Sequence, residues 1–183
     1  MGYFLEGKKI GLRPLTKSDV PVWHAWFNDP LVTENMNKGF FASTETAQEE
    51  FLSQLAKSRS DLQLGIVLRS SKALVGTVGL HKIDWLHRRG DISIVVGDRS
   101  SWGKGLATEA VALVVRHAFL KLNLGKLTAG MWSTNKGSRR CFESNGFVLE
   151  GTRRAQFHCG GRYVDEWLLG LLREDWEKTR RGA

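Results

Sequence analysis

Residues 102 to 108 read Trp-Gly-Lys-Gly-Leu-Ala-Thr and sit between an apolar run, Ile92 to Val96, and a long helical pattern. Strand, glycine turn and helix start therefore follow one another. Gly103 and Gly105 let the main chain approach a ligand with no Cβ in the way, and the first amides of the next helix have no intrahelical acceptor. The helix dipole adds partial positive charge where these amides point, and Lys104 places a mobile cation beside them. Phosphate binding is the chemistry this arrangement suits. A Walker loop is excluded by the glycine spacing and the missing Lys-Ser/Thr pair, and a dinucleotide fingerprint by the missing third glycine. A ligand-free turn before a helix remains the alternative.

A second segment, Asn-Lys-Gly-Ser-Arg-Arg-Cys-Phe-Glu-Ser-Asn-Gly-Phe at 135 to 147, follows after one helix and one strand. Asn135 can cap a short helix whose single face carries Ser138, Cys141, Phe142 and Asn145, and Gly146 ends it before an apolar strand. Together the two segments resemble the GNAT N-acetyltransferases. Gly105 and Ala107 fill the last fixed positions of that family's Q/R-x-x-G-x-G/A diphosphate loop, with Trp102 where Gln or Arg is usual. Asn135, Ser138, Phe142, Gly146 and Phe147 match N-x-x-[A/S]-x-x-x-[Y/F]-x-x-x-G-F. Gly-Phe-Val-Leu-Glu-Gly-Thr-Arg-Arg and Gly-Arg-Tyr-Val-Asp-Glu-Trp, near the end, resemble the branch that includes the ribosomal-protein N-terminal acetyltransferases.

The resemblance implies a mixed α/β, α+β-like chain with the GNAT acyl-CoA N-acyltransferase fold: a mostly antiparallel, splayed central sheet with helices on both faces. It implies acetyl-CoA as cosubstrate, with Trp102, Gly103, Lys104, Gly105, Leu106, Ala107 and Thr108 around the diphosphate and Asn135 and Arg140 beside them. Val95, Val96 and Gly97 would offer main-chain groups to the pantetheine arm and the thioester carbonyl. Asp91 stands where many relatives carry a glutamate base, and its short side chain suits a base acting through water. An idle strand-edge carboxylate is the competing role. The tyrosine that often protonates the departing thiolate is Phe142 here, so Ser138 is the nearest donor, with simple helix packing as its other reading. A thiolate with a reference pKa near 8.5 needs little help to leave.

Other elements follow from local pattern. Lys9 to Leu15 reads as a first strand, Thr16 to Asp19 as a capping-box helix start, and Pro30 as the stop after Trp26-Phe-Asn-Asp. A helix from about Thr44 to Lys57 carries Ala47, Phe51, Leu52 and Leu55 on one face. Leu62 to Arg69 with Ala73 to Lys82, and Phe147 to Phe157 with Tyr163 to Leu172, read as two hairpins. Trp23 and Trp26 fall at helical spacing with apolar neighbours, which suits core.

The 183 residues suffice for one core, and no repeat or linker divides them, so a single domain over 1–183 is expected. No apolar run is long enough to span a bilayer and no signal-peptide pattern opens the chain, which points to the cytoplasm and to no membrane partner. Two cysteines and five histidines show no metal-ligand spacing, so no metal is expected. The 27 Lys and Arg against 19 Asp and Glu give +8. That charge suits the phosphates of CoA, and beyond them a solvated surface or ribosomal RNA near a protein substrate, with nucleic acid otherwise not expected. The acceptor is expected to be an amine, either a protein N-terminal α-amine or a small amine or amino sugar, contacted by Glu34, His81 and Tyr163. A weak base suits an α-amine, with a reference pKa of about 8, better than a lysine at about 10.4. Aminoglycoside or polyamine acetylation is the enzyme alternative, for which Asp29, Glu34, Glu45, Glu49 and Glu50 could form a local acidic patch, and a CoA-binding sensor the non-enzyme one. The oligomeric state stays open, a homodimer included.

Overall fold

A computed structural model describes residues 2–181. Eight strands form one sheet in the order β1-β2-β3-β4-β5-β6-β8-β7. The strands are β1 (Leu5–Glu6), β2 (Ile10–Pro14), β3 (Leu62–Leu68), β4 (Leu74–Asp84), β5 (Arg89–Val96), β6 (Lys126–Trp132), β7 (Val148–Cys159) and β8 (Arg162–Leu172). Every neighbouring pair is antiparallel except β5 with β6. The helices are α1 (Val20–Phe27), α2 (Pro30–Thr33), α3 (Glu45–Lys57), α4 (Leu106–Leu120), α5 (Lys136–Glu143) and α6 (Arg173–Arg181).

Strand alternation sends side chains to two separate apolar layers. Ile92 and Ile94 of β5 face the main core, where α4 lays down Leu106, Ala110, Val111, Val114, Val115 and Ala118 at helical spacing. Val95 faces the other way and packs against a smaller cluster of Trp23, Trp26, Phe27 and Val32 from α1 and α2. Helices thus cover both faces, as the resemblance implied. Trp23 and Trp26 are core, at 3% and 8% exposure.

The capping box at Thr16 and Asp19 forms, but it opens a short 3-10 turn, Lys17–Asp19, before α1. Arg13 grips the Asp19 carboxylate with two bonds of 2.7 and 2.8 Å. Burial alone would raise the Asp19 pKa; the bonds from Arg13 and Thr16 outweigh it and hold the carboxyl below its usual value. Helix α1 ends at Phe27, and Pro30 then serves as the first residue of α2 instead of a simple stop. In α3 the expected apolar face is displaced: Gln48 is buried, while Ala47 and Phe51 stay exposed. The Gln48 amide can be buried because it donates to the Ser43 hydroxyl at 2.7 Å. Strand β1 carries too few residues to show a pattern and was not anticipated. The last hairpin turns through Gly160 and Gly161, both at positive φ, which glycine adopts freely.

Gly97 follows β5 and lies under the Trp26 indole; a Cβ there would fall 1.9 Å from a ring atom. Gly97→Ala should therefore destabilise the fold by about 1–3 kcal/mol through overpacking. Urea unfolding should show a lowered midpoint with an unchanged slope, and an unchanged midpoint would contradict the contact.

Candidate active site

Strands β5 and β6 share only three register pairs: Arg89 with Lys126, Gly90 with Leu127 and Asp91 with Thr128. Beyond Asp91 they part, because β5 stays with β4 out to Val96 while β6 stays with β8 out to Trp132. The facing edges lose their ladder partners, so an extended polar chain laid in the slot can take their place. At the open end the Trp102 indole donates to the Val96 carbonyl at 2.7 Å, pinning the glycine turn to the splayed strand.

The turn itself is held from behind. Asp98 accepts from Ser100 and Ser101, and these bonds, the Ser101 bond first, keep its carboxyl below the usual range. Gly103 and Gly105 follow at φ +72 and +78, with open space where a Cβ would point. The first intrahelical bond of α4 runs from Glu109 N to the Gly105 carbonyl, 3.1 Å, so the amides of Leu106, Ala107 and Thr108 precede the ladder and are available to an anion. Lys9 Nζ donates to the Lys104 carbonyl at 3.1 Å, and the Lys9 amide donates to Glu109 at 3.0 Å. Lys9 read from sequence as nothing more than a strand start.

Helix α5 forms the opposite wall. Asn135 caps it, its Oδ1 accepting from Ser138 N at 2.9 Å, and Asn145 ties it to α4 by donating to the Thr108 carbonyl at 3.2 Å. The Ser138 hydroxyl has no hydrogen-bond partner among the described residues, which leaves it free for a ligand. Burial pushes the neighbouring Cys141 thiol up to about 11, so it is protonated near neutral pH and a poor nucleophile. Phe142 is core, its ring edge-on to Phe147 at 5.1 Å.

These elements enclose a cleft of about 600 Å³. Of the expected cofactor residues, Val95, Val96, Trp102, Gly103, Gly105, Leu106, Ala107, Thr108, Asn135 and Arg140 line it, together with Ser138 and Glu34. Gly97 does not, because its bare backbone seats Trp26 on the other face of the sheet. Lys104 belongs to the turn but lines neither this cleft nor its neighbour; its structural tie is the bond from Lys9. Asp91 sits at the fork, accepting from the Thr128 hydroxyl and facing Lys82 at 3.8 Å, outside the cleft lining. His81 also lies outside, held by Asp61 and Ser93. Tyr163 is 69% exposed at the tip of the last hairpin, against His158, and reaches neither cleft.

A smaller cleft of about 250 Å³ adjoins the first, walled by Phe27, Phe40, Phe41 and Trp132. Glu34 and Met36 line both. The Thr134 hydroxyl donates to Asn35 Oδ1, so the loop after α2 is strapped to the loop after β6 across the slot. Asn35 and Thr134 carry no motif, and only the fold brings them together.

Residues 9–148 match the family model described as an acetyltransferase (GNAT) domain. The chain belongs to the GNAT acetyltransferase family. It is 31% identical over 178 residues to a spermidine N(1)-acetyltransferase of Vibrio cholerae, covering 92% of this chain and 95% of that one. It is also 28% identical over 145 residues to YdaF of Bacillus subtilis, whose ribosomal N-acetyltransferase name is provisional, covering 75% and 78%. A crystal structure of the Vibrio cholerae spermidine N-acetyltransferase with CoA and spermine superposes with a TM-score of 0.85 at 23% identity, over 93% of this chain and 99% of that one. This acetyltransferase therefore uses acetyl-CoA, and the free amides of Leu106, Ala107 and Thr108 are the groups that would hold its diphosphate. Among the described residues no helix is long and apolar enough to cross a membrane, and no group of three or more His, Cys, Asp or Glu is placed to hold a metal ion.

Gly105→Glu should leave the protein folded, since open space surrounds that position and a left-handed residue costs only about 1–2 kcal/mol. It should weaken CoA binding at least ~100-fold, about 3 kcal/mol, through bulk and like charge at the amides. Calorimetry that finds unchanged affinity in the folded variant would remove the phosphate role. Ser138→Ala should lower kcat by about 10- to 100-fold with little pH dependence and with CoA affinity kept. Unchanged kcat would return Ser138 to helix packing.

Proposed function

We propose that this N-acetyltransferase transfers acetyl directly from acetyl-CoA to a primary amine carrying one cationic centre, a protein N-terminal α-amine or a small amine or amino sugar. The observation that carries this reading is the composition of the two clefts. Among the described residues Glu34 is the only carboxylate lining either of them, and it lines both, with Lys38 also on the wall of the smaller one. Around it the smaller cleft is aromatic, with Phe27, Phe40, Phe41 and Trp132. Such a pocket suits an amine whose ammonium meets Glu34 while its carbon frame packs on rings.

In this reading the pantetheine arm lies along the splayed edge of β5, where main-chain groups near Val95 support the charge that develops on the thioester oxygen. The amine attacks from the side of Glu34. The thiolate leaves toward Ser138, whose unpaired hydroxyl donates to it. Cys141 takes no covalent part, because its buried thiol stays protonated.

Polyamine acetylation is the second reading, favoured by the similarity to the Vibrio cholerae spermidine N(1)-acetyltransferase. A polycation asks for several carboxylates free of internal partners. Asp91 faces Lys82, Glu166 pairs with Arg153, Asp29 with Arg99 and Glu49 with Lys17, while Glu34, Glu45 and Glu50 have no ion-pair partner among the described residues. The charge of +8 repels a polycation at long range.

A panel of alanyl and seryl peptides, amino sugars, aminoglycosides and spermidine, followed by CoA thiol release, should give the highest kcat/KM with a single-amine acceptor. Glu34→Gln should raise the acceptor KM about tenfold, the size of one charge-assisted bond, while CoA affinity is unchanged. Spermidine as the best substrate would overturn the single-amine reading in favour of the polyamine one.

A further inference from the structure

The sheet face opposite α4 holds a line of three polar side chains that no motif announced. His81 and Ser93 come from adjacent strands, but they are not register partners: His81 pairs with Asp91, and Ser93 pairs with Gly79. The imidazole leans back along β4 over Gly79, where a Cβ would fall 2.1 Å from Nε2, and so reaches the Ser93 hydroxyl at 3.0 Å. Its other nitrogen, Nδ1, lies 3.4 Å from Asp61 Oδ1. Asp61 is fixed in turn, its Oδ2 accepting from the hydroxyls of Ser58 and Ser60 at 2.8 and 2.9 Å and its Oδ1 from the Lys82 amide at 3.2 Å. In the tautomer that carries the proton on Nδ1, the nitrogen facing Asp61, Nε2 accepts from the Ser93 hydroxyl.

Ser93 is exposed and lies beyond Asp91, the last residue of β5 paired to β6, so it stands on the freed part of the strand. The next residue, Ile94, lines the larger cleft, and so does Val95. Ser93 and Val95 project from the same face, about 7 Å apart along the strand, a span that one water or the amine itself can bridge.

We propose that Asp61, His81 and Ser93 form a proton relay that takes the proton from the acceptor amine during acetyl transfer. The inference rests on the acetyl-transfer reading and adds the group that makes the amine nucleophilic. The ammonium N–H passes its proton to Ser93 Oγ as the Ser93 proton moves to His81 Nε2, leaving imidazolium beside the Asp61 carboxylate. The neutral amine nitrogen then bonds to the thioester carbon, the C–S bond breaks with its electron pair on sulfur, and one of the two protons left on the nitrogen passes to the thiolate, giving the amide and the CoA thiol. The imidazolium then releases its proton to solvent. Ser93 stays a hydroxyl throughout and forms no ester.

Burial lowers the His81 pKa below the ordinary histidine value, opposed by the charge and hydrogen bond of Asp61 and by the charge of Asp91; Lys82 lowers it further. His81 is therefore neutral and able to accept a proton at pH 7. The charged groups facing it are Asp61 ahead of β3, Lys82 on its own strand and Asp91 across on β5, with the neutral Gln63 oxygen also over Gly79.

The test uses the full chain, acetyl-CoA and whichever amine of the panel turns over fastest, with kcat measured from pH 5 to pH 10. Wild type should show an inflection below about pH 6.5 that matches the His81 imidazole titration followed by NMR. His81→Asn and Ser93→Ala should lose that inflection, fall about 10- to 100-fold near pH 7 and recover as the amine deprotonates unaided, with acetyl-CoA KM unchanged. Ser93→Ala is an exposed, conservative change and serves as the variant that folds. Asp61→Asn removes a charge that supports imidazolium and should move the inflection to lower pH. Asp91→Ala should keep it. An inflection that survives in His81→Asn, or that disappears in Asp91→Ala alone, would overturn the relay, as would an acetylated Ser93 peptide in mass spectra of the working enzyme. No turnover by wild type with any amine would sink the acetyl-transfer reading, and the relay with it.

Discussion

The parting of β5 from β6 after three register pairs is the constraint on which the rest of the site depends. A backbone edge in the middle of a sheet is ordinarily paired, and leaving it bare costs the hydrogen bonds of a ladder. The opening persists because each strand is committed elsewhere, β5 to β4 and β6 to β8. Around the gap the chain places bridges that do not fill it: Trp102 onto the Val96 carbonyl, Asn145 onto Thr108, and Thr134 onto Asn35. Amide cradle, Ser138 and Glu34 all take their places relative to this opening. So does Ser93, which becomes accessible only because the strand beside it is gone.

Much of this was legible in the sequence where the physics is local. A glycine turn before an apolar helical stripe, and an Asn cap ending in Gly-Phe, are decided within a dozen residues, and both stand in the structure, with Gly105 at the start of α4 and Asn135 capping α5. Both hairpins were readable to within a few residues for the same reason. What could not be read depends on contacts across the sheet. Gly97 looked like a cofactor residue from its neighbours in sequence, but its bare Cα serves a tryptophan some seventy residues earlier in the chain. His81 read from sequence as an acceptor contact, whereas its alignment with Asp61 and Ser93 requires the β4–β5 register and the missing side chain of Gly79. The buried Gln48 in α3 defeats a hydrophobicity pattern because its amide is satisfied by one serine.

Charge is arranged with similar economy. The chain carries +8, but several of its carboxylates are neutralised in pairs, so the net field reaching a ligand is shaped by the groups left over. Arg140 and Glu34 both line the larger cleft, and in the proposed function the first lies with the phosphates and the second with the amine.

The parallel pair of β5 and β6 carries a thermodynamic consequence. It joins the stretch that runs through β5 to the stretch after α4 by only three residues of ladder, the shortest seam among the long strands of the sheet. In the proposed placement a cosubstrate in the slot would touch both sides of that seam and act as a non-covalent staple. Its binding energy enters the stability of the whole sheet by mass action, as RT ln(1 + [L]/Kd), and amounts to about 2.7 kcal/mol when the ligand stands at 100 times its Kd. Local opening of the seam would then become rarer as cosubstrate concentration rises.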